Sequence, residues 1–295
     1  MPNFSEGRDA GTIAALAEAL TADPSVRLLD VHSDPDHHRS VFTLAGGPGA
    51  LARALLRGGR VAIERIDLTA RDGGGHPHVG ALDVAPVVHL DPAARGAACA
   101  EALVAADSLA EALALPVFLY GELSGEERGS QRTRAELRRG GLAGLAARMA
   151  GDEGGALAPD FGPGSMHPTA GATLVAARPP LVAFNVVLAP PATVADACRI
   201  ASLVREGGPH GLPGLRAIGI ALAGGTPQVS MNVERPSELP LARVVAAIGD
   251  HVEVAGAELV GLAPAAALEG FPADEVELSG FDPDRHVIEN ALGSG

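Results

Sequence analysis

From Leu181 onward the chain reads as strand, helix, strand, a Gly224-Gly225 turn, strand, helix, strand. That order constrains the fold more than any other feature of the 295 residues, because it is the order of a βαββαβ ferredoxin-like unit. The strands are β-rich runs at 181 to 188, 215 to 222, 226 to 233 and 257 to 262. The helices follow from apolar residues repeating at helical spacing over 193 to 206 and 239 to 252. The first half mixes the same ingredients, with strands predicted at 26 to 32, 40 to 45, 81 to 89 and 116 to 121, and helices at 9 to 22, 48 to 68, 93 to 114 and 132 to 149. A segment rich in Gly, Pro and Asp, 151 to 173, separates the halves and puts the boundary near residue 175. The expected class is α/β (α+β): an N-terminal subdomain over 1 to 175 and a ferredoxin-like C-terminal subdomain over 176 to 295, each a mixed sheet with helices. A cleft between two such subdomains is the expected place for a small-molecule site.

Chemistry is narrowed first by an absence. The chain contains no lysine, so all 22 of its cations are arginines. Schiff-base, pyridoxal-phosphate and P-loop chemistry each need an ε-amino group and are disfavoured. Any cationic grip on a carboxylate must use the planar fork of arginine. Against these cations stand 36 acidic residues, giving a net charge of −14 without basic stripes, so nucleic acid is not an expected partner. No apolar run approaches the ~20 residues of a membrane span, and the start lacks a basic-then-apolar signal, so no membrane association and a cytoplasmic location are expected. Cys99 and Cys198 have no metal or redox spacing and are expected to be reduced and buried. The final Gly293-Ser294-Gly295 reads as a linker.

Three polar segments interrupt the apolar pattern. Arg71-Asp72-Gly73-Gly74-Gly75-His76-Pro77-His78-Val79-Gly80 joins a helix to a strand, its glycines letting backbone approach a ligand and its proline stiffening the turn beside His76. An imidazole there can accept and return a proton near neutral pH. Asp30 to Ser40 lies between two apolar runs as a strand-to-strand turn; it is either a solvated turn or a polar wall in which Asp34 or a histidine such as His37 stabilises positive charge and Arg39 holds a carboxylate. Pro159 to Pro168 is too rich in turn formers for helix or strand; it is either a linker or a rigid ligand loop whose Asp160 accepts from a heterocycle while Phe161 stacks. His76 and His78 also form a His-x-His pair, which keeps a metal-dependent hydrolase among the alternatives, with His32, His37, His38 or His167 as further ligands; no metal is the expected outcome.

Read in order, the segments Pro2-Asn3-Phe4-Ser5-Glu6-Gly7, Arg39-Ser40-Val41-Phe42-Thr43, His76-Pro77, Gly80-Ala81-Leu82-Asp83-Val84-Ala85-Pro86, Pro116-Val117-Phe118-Leu119-Tyr120-Gly121-Glu122, Ala158-Pro159-Asp160-Phe161-Gly162-Pro163, Ala183-Phe184-Asn185, Gln228-Val229-Ser230-Met231-Asn232 and Glu258-Leu259-Val260-Gly261-Leu262 make the chain resemble glutamate formiminotransferase, the transferase half of formiminotransferase-cyclodeaminase. The resemblance implies a transferase of the one-carbon metabolism of histidine degradation. It would move a formimino group from N-formiminoglutamate to N5 of the co-substrate tetrahydrofolate. The family's catalytic histidine precedes the proline of a His-Pro-Arg motif and carries over onto His76, with Asp34, His37 and His78 in support. Arg39 and Arg205 are the expected clamps on substrate carboxylates. The folate-binding set is expected to be Asp160, Phe161, Gly162 and Pro163 together with Arg178 and Asn185. Small-molecule substrates are the implied partners, and a homodimer is the macromolecular partnership left open. Two departures stand out: His78 occupies the family's arginine position, and the cyclodeaminase half is absent. The first motivates an alternative, a related folate-dependent transferase with another one-carbon donor or acceptor; a catalytically silent folate binder is a further one.

Overall fold

The structure, a computed structural model, describes residues 1–70, 77–125, 131–151 and 157–293. It divides into two units, Met1–Pro179 and Pro180–Gly295, so the chain changes unit just beyond the expected residue 175.

The first unit runs β1 (Asn3–Phe4), α1 (Ala10–Leu20), β2 (Val26–Asp34), β3 (Arg39–Gly46), α2 (Ala50–Arg65), β4 (Leu82–Val88), α3 (Arg95–Leu113), β5 (Val117–Leu119), α4 (Arg134–Leu137), α5 (Gly141–Ala150) and β6 (Thr173–Arg178). Its strands form one sheet in the order β2-β3-β1-β4-β6-β5. The β2 to β4 side is antiparallel, while β4, β6 and β5 are parallel. α1 begins where Asp9 accepts the Gly11 and Thr12 amides at 3.1 Å, and such a cap is worth ~1 kcal/mol. Its Leu16 and Leu20 are fully buried, each contributing roughly 1.5–3 kcal/mol. They pack with Phe4 and Phe42, whose rings meet edge to face at 5.4 Å, and with side chains of α2 and α3. The single helix expected over 132 to 149 is divided by Gly140, whose φ of 76° no continuing helix tolerates. β6 lies beyond the expected strands, yet it fills the position between β4 and β5.

Cross-strand partners share a sheet face, so the line His32, Val41, Asn3, Val84, Leu174, Phe118 crosses β2-β3-β1-β4-β6-β5 on one side. Val84, Leu174 and Phe118 there form a second core with Leu137 of α4 and Leu145 and Met149 of α5. Two residues along from His32 and Val41, the directly opposed pair Asp34 and Arg39 faces the same way.

The second unit runs β7 (Val182–Leu188), α6 (Val194–Val204), β8 (Leu215–Ala221), β9 (Pro227–Val233), α7 (Leu241–Gly249) and β10 (Val254–Val260), the expected βαββαβ order, then β11 (Leu278–Ser279), α8 (Pro283–His286) and α9 (Ile288–Gly293). The sheet order is β11-β10-β7-β9-β8. Phe184, Val186 and Leu188 point into a core completed by Ile200 and Val204 of α6 and Val244 and Ile248 of α7. The alternate positions Asn185, Ser230 and Glu258, paired across β7, therefore lie on the opposite face. Both cysteines are free, but the expected burial is wrong: Cys99 is half-buried and Cys198 is exposed. Cys198 lies where α6 crosses β8, an edge strand, with Sγ 3.5 Å from the Gly219 carbonyl, and the sheet's edge leaves it exposed.

Candidate active site

The first segment of the chain straps the β2–β3 turn. Ser40 Oγ donates to the Glu6 carbonyl at 2.6 Å, Arg8 Nε to the Pro35 carbonyl at 2.8 Å, and the Gly7 amide to Nδ1 of His38 at 3.2 Å. With the turn held, Asp34 accepts the amides of Asp36 and His37 at 2.9 Å, and its other oxygen meets His37 Nδ1 in a short hydrogen bond. Burial alone would raise the Asp34 pKa; the His37 ring and the two amides outweigh it and hold the carboxyl down to about 2. Asp34 is therefore an anion at every physiological pH, beside an imidazole it orients.

The strand entering from His78 is fixed as firmly. Asp83 receives the Val79 amide at 2.8 Å through one oxygen and the guanidinium of Arg138, on the carboxyl end of α4, through the other; both side chains are buried. Ser5 Oγ donates to the Gly80 carbonyl at 2.8 Å. Gly80 admits no side chain, since a Cβ there would lie 1.9 Å from the Ala172 carbonyl oxygen. Between the turn and this strand His37, His38, Arg39, His78 and Asp83 converge on a pocket closed by Asn3, Phe4 and Ser5. Its volume, about 10 Å³, suits a water-sized group.

Burial lowers the Arg39 pKa to about 10, with Arg138 and Arg134 adding to the shift and Asp34 and Asp83 opposing it. Burial likewise brings Arg178, at the end of β6, to about 10, the Tyr120 hydroxyl opposing and Arg134 adding. Both remain cations at neutral pH in surroundings that favour an arriving anion.

Of the expected site residues, His37, Arg39 and His78 line one pocket and Asp34 is held against His37 and opposite Arg39, while His76 lies outside the described residues. Asp160 is engaged within the protein: its oxygens accept from Arg132 at 2.5 and 2.6 Å and from the Leu119 amide at 2.7 Å. Phe161 bridges to Val117 and packs its half-buried ring on the first core. Gly162, with φ of 84°, passes so close to Leu115 that a Cβ would sit 2.3 Å from its carbonyl oxygen; Pro163 follows, half-buried. In the second unit Asn185 donates to Glu258 at 3.0 Å on the face opposite α6 and α7, whereas Arg205 is exposed at the carboxyl end of α6. These two do not share a face of that unit. Sequence reasoning gave no site role to Asp83 or Arg138 and weighed His38 only as a possible metal ligand. A lone aspartate inside the apolar run from Ala81 to Val88 was the available signal, because a buried charge demands a partner. Among the described residues no three His, Cys, Asp or Glu side chains are arranged to hold a metal, and no helix is long and apolar enough to cross a membrane.

Residues 1–178 match the family described as formiminotransferase domain, N-terminal subdomain. A glutamate formimidoyltransferase of Streptococcus pyogenes serotype M1 is 35% identical over 298 residues, covering 99% of this chain and 97% of the relative. One of Thermoplasma acidophilum is 32% identical, covering 99% and 96%. The formimidoyltransferase-cyclodeaminase of Sus scrofa is 37% identical over 284 residues, and there the chain spans only about half of the relative, 50%. With more than half its length matched and full-length relatives above 30% identity, the chain belongs to the formiminotransferase family.

Proposed function

We propose that the chain transfers a formimino group from N-formiminoglutamate to N5 of tetrahydrofolate, its co-substrate, with His76 moving the protons. The convergence of His37, Arg39 and Asp83 on His78, two residues after His76 in sequence, carries this reading, in a chain so similar to glutamate formimidoyltransferases. The N5 lone pair attacks the amidine carbon, the new C–N5 bond forms and the C=N pair moves onto nitrogen. His76 takes the N5 proton and returns it to the glutamate nitrogen; the bond from that nitrogen to carbon then breaks, C=N re-forms and glutamate leaves. Asp34, ionised throughout, stabilises positive charge developing on the neighbouring ring. Arg39 takes a substrate carboxylate, which turns an encounter into an oriented approach. Arg178, Asn185 and the loop from Asp160 to Pro163 contribute to holding the folate, and Arg205 is a second carboxylate ligand. A cytoplasmic location and a homodimer belong to the same reading, the latter measurable by light scattering on the purified protein.

The test mixes protein, tetrahydrofolate and N-formiminoglutamate and records methenyl-folate absorbance after acidification. A signal supports the transfer; folate binding without one favours a different one-carbon donor or acceptor, the reading that His78 in the pocket supports. Failure to bind folate would sink both.

A further inference from the structure

His210 and His251 have no part in the transfer, yet the fold brings them together from 41 positions apart in sequence. Nδ1 of His210 lies 3.1 Å from Nε2 of His251, with the ring planes within 8° of each other. The backbone fixes both. After α6 the chain folds back on the end of that helix, where the His210 amide donates to the Leu203 carbonyl at 3.0 Å and the Leu212 amide to that of Val204 at 2.9 Å. Two glycines make the turn possible: a Cβ at Gly208 would lie 2.4 Å from the Leu203 carbonyl oxygen, and one at Gly211 2.7 Å from that of Arg205. His251 stands just beyond α7, its amide donating to the Ile248 carbonyl at 3.0 Å. Two turns, each tied to a helix of the same core, thus hold the rings nitrogen to nitrogen.

Two neutral imidazoles at this distance share one N–H, and a doubly protonated pair repels. An ion held by imidazole at about 2.0–2.1 Å spaces two neighbouring nitrogens about 2.9 Å apart at a right angle and about 3.3 Å apart at the tetrahedral angle. The observed 3.1 Å falls between these. Both nitrogens become ligands once the ring carrying the shared proton moves it to its other nitrogen, so no proton has to leave the protein. His210 is exposed and His251 half-buried, and among the described residues no third His, Cys, Asp or Glu completes the set, which leaves the other coordination positions to water. Asp250 and Glu253, both exposed, flank His251 in sequence and add negative potential in a chain of net charge −14.

We propose that His210 and His251 form a two-imidazole site for a divalent transition-metal ion, joining the loop after α6 to the turn after α7. The site is independent of the transferase reading. Imidazole with water suits Cu²⁺, Ni²⁺ and Zn²⁺, with Cu²⁺ bound most tightly, whereas Mg²⁺ takes oxygen ligands and should not compete. An ion that needs both turns in place binds the folded chain and not the unfolded one, so it raises the melting temperature.

The experiment titrates the full chain by calorimetry with the chlorides of Cu²⁺, Ni²⁺, Zn²⁺ and Mg²⁺, and repeats this with His210→Gln, His251→Gln and, as a control in α8, His286→Gln. Melting without metal checks that each variant folds, and alanine replaces glutamine in any that does not. Each variant of the pair is expected to weaken one Zn²⁺ binding event by about tenfold or more and to lose the rise in melting temperature that this event gives; His286→Gln is expected to keep both. Electron paramagnetic resonance with Cu²⁺ should show two imidazole nitrogens on an ion in the wild type that are missing from either variant of the pair. Wild-type affinity and stoichiometry in folded His210→Gln and His251→Gln would place the ion on other histidines and overturn the proposal. So would wild-type protein that binds Zn²⁺ no more tightly than Mg²⁺. Transfer activity without added metal should be the same in wild type and both variants, so the site and the transferase reading stand or fall separately.

Discussion

On the first sheet the pocket is built on carboxylates that hold its other groups, Asp34 against His37 and Asp83 against Arg138. The face of the second sheet opposite α6 and α7 instead carries Asn185, Gln228 and Ser230 on its inner strands, with the charged Glu258 and Arg216 on the strands beside them. The contrast divides labour by chemistry. Moving protons needs groups whose charge is set by neighbours, whereas neutral amides and hydroxyls read the shape and donor pattern of a ligand without titrating.

The division breaks most visibly at His76. His76→Ala is expected to lower kcat about a thousandfold, within the range for a lost acid–base group, and to leave the Kd for tetrahydrofolate nearly unchanged; steady-state rates and calorimetry read the two separately. Full activity would remove His76 from the mechanism. Asp83→Ala strands the buried Arg138 cation and should cost about 3 kcal/mol of stability in urea unfolding, because breaking a buried pair leaves a charge uncompensated. Replacing both partners, Asp83→Leu with Arg138→Met, should regain most of that stability but little activity, since the Val79 amide then loses its anchor. Arg39→Met should raise the KM for the donor about tenfold, read by steady-state kinetics, while the folded protein keeps its melting profile at neutral pH. The smallest effect is acid sensitivity. The folded pKa of Asp34 lies near 2, below its ordinary 3.8, so its contribution is complete above pH 3.8 and is lost as the pH falls toward 2. Thermal melts from pH 5 to 2 should be less pH-dependent for Asp34→Asn than for wild type, and Asn185→Ala should leave that dependence unaltered.

How much of this was legible follows the range of the interactions. The βαββαβ order was readable because each element carries its own period, and the turn from Asp34 to Arg39 because it lies between two apolar runs. The Asp83–Arg138 pair joins residues far apart in sequence, and only the sheet brings them together. β6 was hidden because its run Thr173 to Ala177 follows a long stretch of turn formers, and a strand buried on both faces shows no alternation. The partners of Asp160 were equally out of reach, since the Leu119 amide and Arg132 come from elements that its loop meets only after folding.

The position of β6 bears on how the first unit is made. Of its strands β6 leaves the ribosome last, yet it inserts between β4 and β5, which were synthesised long before. Until residue 178 has emerged, one side of β4 has no neighbour and β5 has no strand beside it at all, so the nascent chain carries apolar edges that invite pairing with other chains. Fragments ending before Thr173 are therefore poor candidates for separate expression, and the unit's slow step in refolding is expected to be the docking of that last strand.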